Sequence, residues 1–338
     1  MPSRILVTGA TGTQGGAVVS AFIKANESRS SDPITIHALL RSTSTRPQSY
    51  VSESNVKVFH GDFDNIASVR AAAEGCIAAF LNVTPVFTDS QAEARHAHNL
   101  VEACASIPSI ERIVFSSSGA LHRAVDSKVW AEYVDKYPTQ WMSQYMKSKR
   151  ACEEAVINSS TNDFVEGWSV VRPNTFLTNF LVPLSSFMYP DLKIKQSITT
   201  ALRPDLQISF LDPDDLGPLF ARMLTCTSEE WEEQWKHRFV PVAKENMTIG
   251  QLVGNMNAAL EKIDSAKRVE LIQLGDDEAK AMADAGDMVV ASQLFQNEWQ
   301  EPFELEEVKR GDVDVDSMMG VEQYFEKHTE ELIGTLGG

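Results

Sequence analysis

Residues 8–16 read Thr-Gly-Ala-Thr-Gly-Thr-Gln-Gly-Gly, directly after the short apolar run Arg4–Thr8 and at the opening of a helical pattern over Gln14–Ala25. Gly9, Gly12 and Gly15 stand at G-x-x-G-x-x-G spacing. A chain that turns sharply from strand into helix needs positions without a Cβ, and so does an anion that must touch the backbone. A helix that opens near Thr13 aims free N–H groups and the positive end of its dipole at that anion. The bland alternative is a tight strand–helix turn with no ligand. Strand before, helix after, and a βαβ unit following are the context such a fingerprint requires. Gly9, Thr11, Gly12, Thr13, Gln14 and Gly15 are therefore read as a cradle for a diphosphate.

Further apolar runs follow at Ile34–Leu40, Val56–Phe59, Ala78–Val83, Arg112–Ser116 and Trp168–Val171, with helical patterns at Ser90–Ala105 and Ser143–Asn158. Near-continuous apolar strands alternating with helices predict an α/β fold: a Rossmann-type, doubly wound parallel sheet. After Arg172-Pro173 the pattern changes. Residues 174–204 show no clean period and carry three prolines, and 225–338 read as helices, including Thr248–Ile263 and Val321–Ile333. The expected division is a dinucleotide-binding domain over 1–173 and a smaller, mainly helical substrate-binding or cap region over 174–338. Residues 206–224, a strand and a helix, are expected to return to the first domain.

The formal charge of −17 repels phosphate backbones, so nucleic acid is excluded as a partner. Nowhere do eighteen apolar residues run together, so no membrane partner is expected. Cys76, Cys104, Cys152 and Cys226 form no C-x-x-C pair and no metal-spaced cluster, and read as free thiols of a reducing compartment. The amino terminus has no secretory apolar stretch, which makes a cytoplasmic location the expectation. His96 and His98, two apart on a helix, face differently and make a poor metal pair; no metal is expected. The sequence leaves monomer and homodimer equally open.

Strand two ends Leu39-Leu40-Arg41-Ser42. An acid there would accept from ribose hydroxyls and favour NAD, whereas a guanidinium grips a 2′-phosphate. Arg41, assisted by Ser42, therefore points to NADP(H); the alternative is a solvated loop arginine. Asp62 and Phe63, after strand three, are candidates for the adenine end, with Asp62 as a cap of the following helix equally open. Asn82 and Thr84 end strand four beside the middle of the cofactor. Pro173, Asn174 and Phe176, after strand six, suit the nicotinamide.

Tyr145 and Lys149 lie four apart on one helical face. A phenol titrates near ~10, and an adjacent ammonium draws that value toward working pH. Such a pair serves as a general acid with its electrostatic partner, and the lysine can also hold ribose hydroxyls. On a solvent-facing helix it would be a mere surface pair. Phe115-Ser116-Ser117-Ser118-Gly119 ends strand five, where a parallel sheet presents its ligands, and a serine hydroxyl there can donate to a substrate oxygen.

Taken together, GATGTQGG, Arg41, Gly61-Asp62, FSSSG at 115–119, YMKSK at 145–149 and RPNTF at 172–176 resemble the NmrA-like family, an atypical branch of the extended short-chain dehydrogenase/reductase superfamily. The resemblance covers residues 4–225 and implies a Rossmann fold, NADP(H) and hydride transfer. It implies Tyr145 as general acid, Lys149 as its partner, and Ser118 ahead of Ser117 as the catalytic serine. Some members of that branch bind dinucleotide without turnover, and several of those keep the lysine and lose the tyrosine; both residues are present here. The leading expectation is an NADPH-dependent reductase of a ketone, aldehyde or activated alkene on a small organic substrate. A non-catalytic redox sensor and an epimerase or dehydratase are the alternatives.

Overall fold

The computed structural model describes residues 3–29, 31–41, 49–86, 89–124, 128–159 and 166–337. Its strands in chain order are β1 (Arg4–Thr8), β2 (Thr35–Arg41), β3 (Val56–Gly61), β4 (Ala78–Asn82), β5 (Arg112–Ser116), β6 (Gly167–Pro173), β7 (Thr175–Phe176), β8 (Ser197–Thr200), β9 (Ile208–Leu211), β10 (Arg238–Val242), β11 (Glu245–Met247) and β12 (Glu270–Gln273). The helices that matter for the site are α1 (Thr13–Glu27), α2 (Ile66–Ala73), α3 (Ala92–Ala105) and α4 (Trp141–Asn158). The chain divides into two compact units. One comprises Met1–Leu121, Tyr145–Arg172 and Pro213–Val240, and the other His122–Gln144, Pro173–Asp212 and Pro241–Gly338.

The first unit is built on a seven-stranded sheet in the order β10-β6-β5-β4-β1-β2-β3. Every pairing among β1–β6 is parallel. Strand order reverses between β1 and β4, the switch point at which a doubly wound sheet opens a crevice beyond its carboxyl ends. Ile5, Leu6 and Val7 are wholly buried because helices cover both faces. On one face Val69 and Ala72 of α2 and Leu100 and Cys104 of α3 pack on Leu6, Leu39, Leu81 and Ile113. On the other, the helix Leu216–Thr225 lies so close to α1 that a Cβ at Gly217 would sit 2.4 Å from the Ala17 carbonyl oxygen. Phe80 and Phe220 meet there with ring centroids 4.6 Å apart. All four cysteines are free; burial pushes the Cys76 thiol up to about 12.

The second unit has two small sheets, β11-β9-β7 and β12-β8. Its core joins Leu177, Phe180, Ile198 and Phe210 to Leu252 and Met256 of the helix Ile249–Lys262 and to Tyr324 and Phe325. Thr248 opens that helix with a reciprocal capping box to Gln251. Among the described residues no helix is long and apolar enough to cross a membrane.

Three features depart from the sequence reading. The stretch 206–224 is divided: the helix Leu216–Thr225 belongs to the first unit, but β9 pairs with β7 and β11 in the second. All four residues of β9 are buried, Ser209 included, so the alternating run Leu-Gln-Ile-Ser-Phe over 206–210 marks a strand without naming its sheet. The stretch 225–338 contains three strands as well as helices. Among them β10 carries Pro241, which a sheet tolerates at its margin, and β10 is the outermost strand. The expected helix Val321–Ile333 breaks at His328 into Val321–Lys327 and Thr329–Thr335, where the Thr329 hydroxyl donates to the Phe325 carbonyl.

Candidate active site

At the end of β1 the chain turns on Gly9, whose φ of +62° is a left-handed conformation that side chains resist. The Gly12 N–H donates to the Gly9 carbonyl at 2.8 Å, and α1 begins one residue later with Gly12 as its N-cap and no acidic side chain in its first turn. Gly16 N–H already bonds Gly12 O, so the N–H groups of Thr13, Gln14 and Gly15 precede the helical ladder and meet no acceptor among the described residues. The Gly12 amide thus closes the turn itself. Gly15 is required by packing: a Cβ there would lie 2.3 Å from Gly9 O and 2.8 Å from Thr8 O. Thr11, half-buried, lies on the turn itself. Tyr50 props the turn by donating to the Ala10 carbonyl at 2.7 Å, and burial pushes its phenol up to about 12. The sequence offered no sign of Tyr50, which follows the polar stretch 42–48.

Around this turn stand the other strand ends. Arg41 is exposed at the end of β2, opposite Gly61 of β3; Ser42 lies outside the described residues. Asp62 is exposed, and its carboxylate accepts from the Asp64 N–H at 2.9 Å. The N-cap of α2 is Asn65, not Asp62, which removes the capping alternative for Asp62. Phe63 is half-buried against the ring of His96. Asn82 ends β4 and is tied to the end of β1, its N–H donating to Thr8 Oγ1 at 2.9 Å; Thr84 is exposed just beyond. Asp62, Asp64 and His96 bring one potential ligand atom each within 4.8 Å of the others, a grouping the helical spacing of the histidines had hidden. Arg95 already pairs with Asp64 and, with His96, holds that carboxyl down near about 2.

The serines of β5 divide the work. Ser116 Oγ donates to Gln14 Oε1 at 2.5 Å and so ties the serine strand to the opening of α1. Ser117 is buried and its N–H bonds Val171 O of β6, while its hydroxyl meets no partner among the described residues. Ser118, half-exposed, accepts from Tyr145 Oη at 3.0 Å. Of the two candidate serines it is Ser118 that meets the tyrosine.

One turn further along α4, the Lys149 ammonium lies 5.7 Å from the centroid of the Tyr145 ring. It is only 5% exposed and sits 2.7 Å from Oε1 of Glu93, itself 2% exposed. The contact is a close ion pair rather than an in-line hydrogen bond. Ser148 Oγ donates to the other Glu93 oxygen at 2.7 Å. Burial opposes the Lys149 charge, but Tyr145 and Glu93 outweigh it and hold the ammonium above the ordinary lysine range. A second buried pair lies one turn on, where Glu153 takes both ends of the Arg172 fork at 2.9 and 2.6 Å. Glu93 was not foreseen. In the sequence it belongs to the polar run Ala-Glu-Ala-Arg-His-Ala-His-Asn, which reads as a solvated helix face.

Pro173 closes β6, buried at its carboxyl end. Pro173, Asn174 and Phe176 all fall in the second unit. Asn174 Oδ1 accepts from the Thr175 N–H at 2.9 Å, and half-buried Phe176 lies opposite Leu211 of β9.

A family model described as the NmrA-like family matches residues 1–325. The chain belongs to the NmrA-like family. This NmrA-like chain shares its fold with the crystal structure of NmrA, a negative transcriptional regulator, at a TM-score of 0.68 and 17% identity over 99% of each chain. It is similar to the NADPH-dependent quinone oxidoreductase of Escherichia coli, solved with NADPH, at a TM-score of 0.66 and 17% identity, over 96% of this chain and 99% of that one. It is similar also to the triphenylmethane reductase of Citrobacter sp., solved with NADP(H), at a TM-score of 0.62 and 16% identity, over 99% and 100%. No curated protein compared with the NmrA-like chain matches it.

Proposed function

We propose that the chain is an NADP(H)-dependent oxidoreductase that reduces a ketone, aldehyde or activated alkene of a small organic substrate, with Tyr145 as general acid. The observation that carries this reading is the 3.0 Å hydrogen bond between Tyr145 Oη and Ser118 Oγ at the carboxyl end of β5. A helix terminus free of acidic side chains, with the amides of Thr13, Gln14 and Gly15 open, fits an anionic diphosphate. In this reading Gly9, Thr11 and Gly12 shape the turn, Arg41 and Ser42 take the 2′-phosphate, and Asp62 and Phe63 flank the adenine. Asn82 and Thr84 line the middle. NADPH, when bound, supplies the hydride.

The chain's own groups manage the proton. Because Tyr145 donates to Ser118, the serine keeps its own hydrogen for a substrate oxygen, whose developing charge it stabilises. The phenol proton follows along the same bond. Lys149, held as a cation by Glu93, opposes the charge left on Tyr145. Ser117 supports the strand end from within. A second reading, a dinucleotide-binding regulator without turnover, is favoured by one observation: the Lys149 charge is already compensated by Glu93, which weakens its pull on a phenolate.

The test follows NADPH oxidation by wild type over a panel of carbonyls and enones, and compares Tyr145→Phe. The variant is expected to lose about a hundredfold or more in turnover, a general acid's usual contribution, while still binding NADPH. Unchanged turnover removes Tyr145 from the chemistry. Binding with no turnover of any substrate by wild type leaves the regulator.

A further inference from the structure

In the second unit, β12 pairs among the described residues on one side only, running parallel to β8. The Glu270 N–H donates to Gln196 O at 2.9 Å and the Leu274 N–H to Thr200 O at 2.8 Å, so residues 270, 272 and 274 turn their backbone toward β8. Residues 269, 271 and 273 turn theirs to the other edge. At Val269 the side chain of Asn257 satisfies both backbone groups, accepting from its N–H at 2.8 Å and donating to its carbonyl at 2.9 Å. Leu271 and Gln273 have no such cover among the described residues. All four residues of β12 are exposed, with Leu271 at 37% and Ile272 at 39%. The run Val-Glu-Leu-Ile-Gln-Leu over 269–274 holds no proline or lysine, and β12 is paired without a bulge. Proteins that must keep an edge strand single use such devices to protect it.

We infer that the free edge of β12 is a dimer interface, on which a second copy of this chain adds its own β12 antiparallel about a two-fold axis at Ile272. The parity of the backbone selects that register. With the axis at Ile272, Leu271 of each copy faces Gln273 of the other, and both of these residues present outward N–H and C=O groups. Two hydrogen-bonded pairs form, and the two Ile272 side chains meet at the close, non-hydrogen-bonded position. An axis at Leu271 would need the Val269 backbone, which Asn257 already occupies. An axis at Gln273 would set Glu270 against Asp276, like against like. Charge complementarity favours the same register. It brings exposed Arg268, which precedes the strand, toward exposed Asp276 and Asp277, which follow it in the other copy. Arg268 now holds a surface contact with Glu261 at 3.4 Å that the partner's acids can share, and Lys267 is engaged with the carbonyls of Ile333 and Leu336. An isologous contact repeats each attraction twice.

The experiment is sedimentation equilibrium of the full chain at micromolar concentration. Wild type is expected at twice the 37.4 kDa chain mass, and amide exchange at Leu271 and Gln273 is expected to slow as concentration rises. Ile272→Lys, which sets two ammonium groups against each other, is expected to be monomeric with an unchanged circular dichroism spectrum. Arg268→Glu and the pair Asp276→Lys with Asp277→Lys should each weaken dimerisation by about tenfold or more. An equimolar mixture of those two proteins should dimerise again, because each then faces its opposite; this arm decides the matter if Ile272→Lys does not fold. A wild type that sediments at the single-chain mass, or a dimer indifferent to all these changes, overturns the proposal.

Discussion

Replacing Glu93 by Gln tests the electrostatics of the site in isolation. The amide keeps the shape of the side chain and an acceptor for Ser148, but removes the charge 2.7 Å from Lys149. Side-chain exposures of 6% and 3% put the pair out of reach of solvent screening. Breaking a buried pair by removing one partner costs about 3–5 kcal/mol, because the other charge is left uncompensated. The pH dependence shifts with it. In wild type Lys149 is held above the ordinary lysine value, so its contribution is fully present below pH ~10.4 and is lost only as pH rises through the higher folded value. In Glu93→Gln burial still opposes the charge while the Glu93 contribution is gone, so the folded value falls below that of wild type and the stability Lys149 contributes is lost at a lower pH. Urea unfolding of wild type, Glu93→Gln, Lys149→Met and the double variant, at pH 7 and pH 9, measures both effects. The double variant should recover about 2–4 kcal/mol relative to the sum of the single changes, since no unpaired charge remains. Additivity within about 0.5 kcal/mol would refute the buried-pair account.

Three further outcomes follow from the glycine turn and its rim. Gly15→Ala forces a Cβ to 2.3 Å from Gly9 O, so the turn must open; stability should fall by about 1–3 kcal/mol and dinucleotide binding should be lost by calorimetry. Arg41→Ala should weaken NADPH by about ten- to a hundredfold, the worth of charge-assisted bonds at 1.5–3 kcal/mol, and leave NADH nearly unaffected; equal losses would remove the phosphate assignment. Tyr50→Phe deletes the 2.7 Å bond to the Ala10 carbonyl and should cost about 0.5–1.5 kcal/mol in stability together with some NADPH affinity, whereas unaltered affinity would make the prop purely structural.

The first half of the molecule was legible in the sequence because its signals are local. Buried parallel strands read as apolar runs, the turn at Gly9–Gly15 needs residues without side chains, and Tyr145 and Lys149 share a helical face by spacing alone. The rule that a parallel sheet presents its ligands at the strand ends placed the serines of 116–118 toward the crevice, and the choice of Ser118, which meets Tyr145 27 positions later, came from the family resemblance. What stayed hidden depends on long-range burial. Glu93 and Glu153 look like surface acids until α3 and α4 bring them against Lys149 and Arg172. Tyr50 reaches a carbonyl 40 positions away. Asn65 and Asp62 are equally good caps on paper, and only the path of the turn after β3 chooses between them. The strands β9 and β12 were ambiguous for opposite reasons. The first alternates apolar and polar residues yet is buried at all four of its positions, so its pattern did not name its sheet, and the second is exposed at all four and so shows no apolar face.

The central claim is that the opening of α1 holds the diphosphate of NADP(H), and calorimetric titration of the wild-type chain with NADPH and with NADH tests it most directly. The account predicts one site per chain, saturable by NADPH and at least about tenfold weaker for NADH, as the charge-assisted grip of Arg41 implies. Absence of any uptake of NADPH by a folded chain would contradict it.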